Sequence, residues 1–453
     1  MATDSERAAR VLRTRLGERV SLPGDPGYLA GAGAWNLAFP QRPFAVMGAT
    51  GEGDIVDAVL AARDAGLRVA PQSTGHAAGA LADSDLSDVV MLSLERMREV
   101  SVDPGTRVAT VAGGSTWGEV VTAAATHGLA ALHGSAADVS VVGLALSGGL
   151  SFYARESGLT VNSVRSVRVV CADGEVRTAS DQENPDLFWA LRGGAGGFGV
   201  VVSLELELIA VAEVYAGMLL WPVERADAVA EAWAAVTGRA PESATTSLRI
   251  MHFPPIPDLP PFLSGRSLVV VDGVIHDDPR IAEALIAPLR RLDPEIDTFA
   301  LSPVADVLDM HLDPPEPTPV VTAHRMLRAF PEDAVARFVR TGVADSLFIL
   351  EVRHVGGRAA RPTPGGGAVS ALSGEYLVLA IAVAPDPTIR SDVETVVHGA
   401  VDGFHPWVED ALALTFVDGG ADPAAGFGGS LAALREAKRR WDADGILLAA
   451  HPV

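Results

Sequence analysis

Gln72-Ser73-Thr74-Gly75-His76-Ala77-Ala78-Gly79-Ala80 is a run of small residues around a single imidazole. The residues before it set its context. From Asp54 to Ala65, Ile55, Val59 and Ala62 share one face with Val56 and Leu60 beside them, a helical period. Gly66 stops that helix. Leu67-Arg68-Val69-Ala70 reads as a short strand that Pro71 ends. The chain then turns through glycine and alanine, whose backbone N–H groups can approach a ligand closely and form an anion-binding nest. His76 is the reactive side chain of this loop. A lone histidine in such a loop is more often a hydrogen-bonded structural residue, so the remaining stretches decide its role.

The chain has 453 residues, enough for two or three domains, and 48% of them are hydrophobic. It carries 57 acidic against 35 basic residues, a formal charge of -22, which argues against nucleic acid or an anionic membrane as partner. Cys171 is the only cysteine. An internal disulfide or a cysteine zinc site is therefore impossible, and no His/Cys spacing marks a metal site. Met1 to Arg7 begins charged and lacks an apolar core, so no secretory signal is expected, and no apolar run is long enough to span a bilayer. The expectation is a soluble cytoplasmic protein.

Further along, Val89 to Leu94, Val100 to Val102 and Arg107 to Val111 read as strands, and Trp117 to Thr126 as a helix ended by Gly128. A second small-residue stretch runs from His133 through Gly134, Ser135, Asp138, Val141 and Gly143 to Gly148 and Gly149. So many glycines without regular turns point to close backbone approach to a ligand. Ser163 to Cys171 and Glu175 to Ala179 form a hairpin, and Asp186 to Arg192 a helix. Gly193 to Gly199 then contains a G-x-G-x-x-G match at Gly194, Gly196 and Gly199. A nicotinamide fingerprint needs a strand before those glycines and a helix after. Here the helix comes first and the strand, from Val200 with Val201, second, so that reading is rejected. Beyond Val211 the pattern gives a helix over Trp221 to Gly238, strands at Ser267 to Ile275, Leu347 to Val355 and Leu377 to Val383, and a closing helix from Leu431 to Trp441. Proline-rich loops fall at Phe253 to Pro261 and Asp313 to Pro317.

Four segments together resemble the FAD-linked oxidoreductases of the vanillyl-alcohol oxidase and p-cresol methylhydroxylase (PCMH) superfamily, in the berberine-bridge-enzyme-like branch. They are Gln72 to His76, Gly134-Ser135 through Gly143 to Gly149, Asp186 to Gly194 running into Phe198-Gly199-Val200-Val201, and Leu434 to Lys438 with Trp441-Asp442. The resemblance implies an α+β fold. A PCMH-type FAD-binding domain would be built from residues 1–210 and 405–453, and a substrate domain of antiparallel sheet covered by helices from 211–404. It implies FAD contacts from Gln72, Ser73, Thr74, Gly75, His76, Ala77, Gly79, Ala80, Gly134, Ser135, Asp138, Val141, Gly143, Gly148, Gly149, Gly199, Val200, Val201 and His451. It also implies a covalent bond from His76 to the flavin 8α-methyl. Ser135-Ala136-Ala137-Asp138 holds no cysteine, so a second link is not expected. Relatives often carry tyrosine or asparagine in a late strand, where this chain reads Leu412 to Val417.

The implied reaction removes a hydride from an alcohol, amine or sugar-like group of a small molecule, with molecular oxygen reoxidising the flavin. A base must take the accompanying proton. His354, in Glu351-Val352-Arg353-His354, and Tyr153 are the residues expected to serve the chemistry, with His252, His311 and His324 as further candidates. The alternatives are a redox-neutral flavoenzyme and a non-catalytic small-molecule binder on the same fold.

Overall fold

The structure, a computed structural model, describes residues 3–257, 259–314, 316–418 and 422–453. Met1, Ala2 and Pro315 of the second proline-rich loop lie outside the described residues.

Three sheets organise the chain. The first orders Val20–Ser21, Ala45–Gly48, Val89–Ser93 and Arg68–Gln72, with parallel pairing among the last three. Its crossover helix Glu52–Ala65 buries Ile55, Ala58, Val59, Ala61 and Ala62, and Gly66 ends it in the left-handed conformation at φ 71°. That buried face is the apolar stripe of the sequence. Full burial of each Ile or Val contributes roughly 1.5–3 kcal/mol. Pro71 does not end the strand as expected: pairing continues through Pro71↔Leu92 to Gln72↔Ser93. The strand lies at the sheet's edge, where a missing N–H is tolerated.

The second sheet is antiparallel and holds Val100–Asp103, Val108–Ala112, Val200–Glu207, Val164–Val170 and Val176–Ser180 in that order. Gly113 and Gly114 bring it against the first. A Cβ on Gly114 would stand 1.8 Å from the Leu94 carbonyl oxygen, and Ser73 Oγ donates to the Gly113 carbonyl at 2.8 Å.

The chain's end returns to this pair of sheets. Helix Leu431–Trp441 matches its sequence reading. Lys438 Nζ donates to the carbonyls of Gly197 (2.6 Å) and Leu447 (2.8 Å) and to Asp442. Leu447 pairs in parallel with Val69, which places the tail along the strand that leads into His76.

Residues 213–383 supply an eight-stranded antiparallel sheet. Helices Ala226–Thr237, Pro279–Arg290, Glu332–Gly342 and Arg390–Asp402 cover one face. Trp233, Ile286, Phe338 and Val401 share a core there with Leu248, Val271, Leu350 and Val378. Three features differ from the sequence pattern. Trp221 lies within the strand Glu213–Pro222, and the helix starts only at Ala226. Ala244–His252 and Val320–Leu327 are strands with no strong local signal. Leu412 to Val417 is not a strand but carries a 3-10 turn, Leu414–Phe416. Among the described residues no helix is long and apolar enough to cross a membrane, and no group of His, Cys, Asp or Glu is placed to hold a metal ion.

Candidate functional site

The three sheets enclose a cavity of about 410 Å³. Gln72, Ser73, Thr74, Gly75, His76 and Ala77 form one stretch of its wall. Gly134, Ser135, Gly143, Gly199, Val201 and His451 also line it. Local geometry explains the fit. Gly75 sits at φ 81°, and a Cβ there would come within 2.6 Å of Ala34 Cα. Only glycine accommodates both demands. Two backbones can then run side by side, with Trp35 N–H bonded to the Thr74 carbonyl at 3.0 Å and Asn36 N–H to that of Gly75. Gln72 adds a side-chain bond to the Gly33 carbonyl at 2.7 Å.

Other expected contacts stand back from the wall. Gly79 packs against Asp418, whose Oδ1 lies 1.4 Å from where its Cβ would be, and Ala80 continues the 3-10 turn beside it. Val141 is buried in the core as the first residue of helix Val141–Leu146, capped by Ser140. Val200 points into the opposite core, since strand neighbours alternate and Val201 takes the cavity side. The carbonyls of Gly148 and Gly149 accept from Val161 and Thr160 N–H, a structural turn rather than a wall. Asp138 stands behind His76, not on the cavity surface: its Oδ1 is 3.4 Å from His76 Nε2.

Both expected catalytic residues are displaced from the cavity. Along Ile349–His354, Ile349 and Arg353 line it, while Leu350 and Val352 join the helix-side core. His354 shares the parity of Leu350 and Val352. Its ring stacks on Tyr376 at 5.1 Å, and burial lowers its pKa to about 3. Tyr153 packs with Leu132, Phe152 and Met310, its ring edge-on to His133, and burial raises its pKa. His252 is tied to Ser267 and the Gly342 carbonyl. His324 braces the late turn, with Nδ1 to the Phe416 carbonyl and Nε2 accepting from Ala413 N–H.

His311 touches a charged residue of the cavity wall. Its Nε2 lies 3.1 Å from an Arg353 amino group, and its Nδ1 is 2.7 Å from Asp272. Asp272 also receives Arg249 at 2.5 Å and the Ser247 hydroxyl, and Arg353 is held by Glu351 at 2.6 Å. Burial opposes ionisation of Asp272, but Arg249 and His311 outweigh it and hold its carboxyl below the ordinary range. The sequence gives no local sign of this network, because its members come from separate strands and a loop. Asp313 and Asp418 bring carboxylates to the wall, and Val320, Phe348, Leu379, Ile381 and Phe416 line the rest of this side. Trp35 and Gln41 were also missed. Gln41 lines the cavity with both amide atoms buried and unpartnered among the described residues.

The family model of the FAD binding domain matches residues 43–180. (R)-6-hydroxynicotine oxidase of Paenarthrobacter nicotinovorans is 35% identical over 203 residues, 45% of this chain and 44% of that protein. Xylooligosaccharide oxidase of Thermothelomyces thermophilus is 37% identical over 180 residues, 40% and 36% of the two chains. The alignments thus span less than half the length of these relatives. Physcomitrella patens BBE-like 1, wild type, superposes with a TM-score of 0.83 at 18% identity, covering 98% of both chains. Residues 43–180 therefore carry an FAD binding domain, and the chain has the fold of the berberine-bridge-enzyme-like protein. 6-Hydroxy-D-nicotine oxidase of Arthrobacter nicotinovorans shares the fold at a TM-score of 0.80 and 23% identity, over 94% of this chain and 95% of that one.

The residues present fit FAD. Gly196 lines the cavity at φ 87°, and a Cβ there would meet nothing within 4 Å, so a side chain would take up cavity space. The unpartnered Gln41 amide supplies a donor and an acceptor for a polar ligand edge.

Proposed function

We propose that the protein is an FAD-linked oxidase of a small, largely apolar molecule bearing one hydroxyl or amine, with the flavin joined covalently to His76. The observation that carries this reading is one cavity with two unlike walls. Small-residue loops with His76 stand on one side. On the other, Arg353, Asp313, Asp418 and Thr322 are set among Val320, Phe348, Ile349, Leu379, Ile381 and Phe416. In this reading residues 1–210 and 405–453 hold the cofactor, and 211–404 hold the substrate.

FAD, when bound, supplies the two-electron acceptor and hands its electrons to molecular oxygen. The chain's residues do the rest. The apolar wall binds the substrate body and excludes water. An oligosaccharide would leave many hydroxyls unpaired against such a wall, at a steep cost per group. Asp313 takes the proton released from the hydroxyl or amine. Arg353, fixed by Glu351 and lying 5.2 Å over the Phe416 ring, keeps the charge near that point balanced. His311 backs this pair, its Nε2 4.0 Å from Asp313.

The test is anaerobic mixing with a panel of aromatic amines, aromatic alcohols and oligosaccharides, following loss of the flavin's visible absorbance. An amine or alcohol of the apolar class bleaches it, and air restores it. Asp313→Asn slows bleaching by about 10²- to 10⁴-fold, the usual weight of a general base. Bleaching by oligosaccharides alone contradicts the substrate class, and an Asp313→Asn enzyme of unchanged rate contradicts the proton route.

A further inference from the structure

We propose that Asp138 is the positioning residue that readies His76 to bond the flavin; the inference rests on His76 being the attachment site. His76 Nε2 is shielded from solvent and has no well-directed hydrogen bond, and Asp138 Oδ1 lies 3.4 Å from it. Trp35 stacks on the imidazole with centroids 4.1 Å apart and planes 21° apart, so the ring is held on one face. The Trp35 indole nitrogen is likewise buried without another partner. Burial works against the Asp138 charge, but the His76 and Trp35 N–H groups together keep its pKa below the ordinary value. The carboxylate therefore stays ionised behind a ring whose other side belongs to the cavity wall.

A neutral imidazole carries one N–H and one lone pair. An ionised carboxylate beside Nε2 draws the hydrogen to that nitrogen and leaves the lone pair on Nδ1. In the bonding step Nδ1 joins the flavin 8α-carbon. One C–H bond of that methyl breaks and its proton leaves. The Nε2 proton passes to Asp138. The two electrons left on the ring system go to molecular oxygen, which with the two protons becomes hydrogen peroxide. Asp138 thus sets the tautomer before the step and accepts a proton during it, without touching the flavin. Gly134-Ser135-Ala136-Ala137 brings it to this place from the second small-residue stretch.

The experiment adds FAD to apoprotein from flavin-depleted cells and follows flavin fluorescence that stays with the denatured protein band. Asp138→Ala and Asp138→Asn are expected to retain FAD on gel filtration as the parent does, yet to link it about ten- to hundred-fold more slowly. Asp138→Glu restores part of the rate, which a purely structural role would not do. Linking at the parent rate in Asp138→Ala overturns the proposal while leaving His76 as attachment site. A parent protein that never links FAD overturns both. Loss of all FAD binding in every variant also overturns it, because the carboxylate would then serve the pocket and not the ring.

Discussion

Lowering the pH from about 6.5 to about 4 is expected to destabilise the protein steeply, with up to four extra protons bound on unfolding. His133, His324 and His451 have pKa values lowered to about 4, and His354 to about 3, burial being the largest cause for each. Their exposures are 1%, 3%, 3% and 4%, so solvent screening takes little away. The sign is fixed by which state holds the proton. In the fold these rings stay neutral, while an unfolded chain protonates them below about 6.5. Stability is full above that value and falls as pH approaches the folded pKa. At about 1.4 kcal/mol per pH unit, a fall to about 4 corresponds to about 3.5 kcal/mol as an upper bound, and the fall to about 3 at His354 to about 5 kcal/mol. The -22 formal charge works the other way, since acid relieves self-repulsion and blunts the slope. Below about 4, Asp272 prolongs the loss. Its depressed pKa stabilises the fold above the unfolded value and stops doing so as it protonates. Urea unfolding from pH 7.5 to 4 measures the slope, and His354→Phe should remove about one proton from it. A flat profile over that range contradicts burial of these rings as neutral groups.

Asp272→Ala is expected to lower stability by about 3–5 kcal/mol, the usual effect of removing one partner from a buried ion pair. Asp272 is fully buried and Arg249 is 1% exposed, so the guanidinium would be left charged without a counterion. His311 Nδ1 and the Ser247 hydroxyl would lose their acceptor as well. The damage reaches the cavity, because His311 Nε2 meets Arg353. Chemical denaturation gives the loss directly. The double variant Arg249→Met with Asp272→Leu should recover a large part of it, since no lone charge remains. A loss below about 1 kcal/mol in Asp272→Ala would mean that water reaches this cluster.

These clusters mark the limit of what the sequence discloses. Helix Glu52–Ala65, the Gly66 stop, the hairpin of Val164–Val170 with Val176–Ser180 and helix Leu431–Trp441 were legible because their signals are local: period, glycine and turn. Trp221 was misread because Glu213–Pro222 is apolar on both faces and runs into a helix with only a short turn between them. Ala244–His252 hides for a similar reason: its residues are nearly all buried, so no alternation shows. His354 was a parity error. The alternation Ile349, Glu351, Arg353 against Leu350, Val352, His354 was present in the sequence, but nothing local said which set faced the cavity. Trp35 and Gln41 reach the site only through tertiary contact, above all the approach of Gly75 to Ala34. The His76 loop was legible because close backbone approach demands glycine, and that demand is written in composition.

The most direct measurement is the visible spectrum of purified protein and of its His76→Ala variant, each repeated on pellet and supernatant after acid precipitation. The account predicts yellow protein that keeps its colour in the pellet, and a His76→Ala variant that binds flavin but releases it to the supernatant. Colourless protein that takes up no added FAD would contradict it.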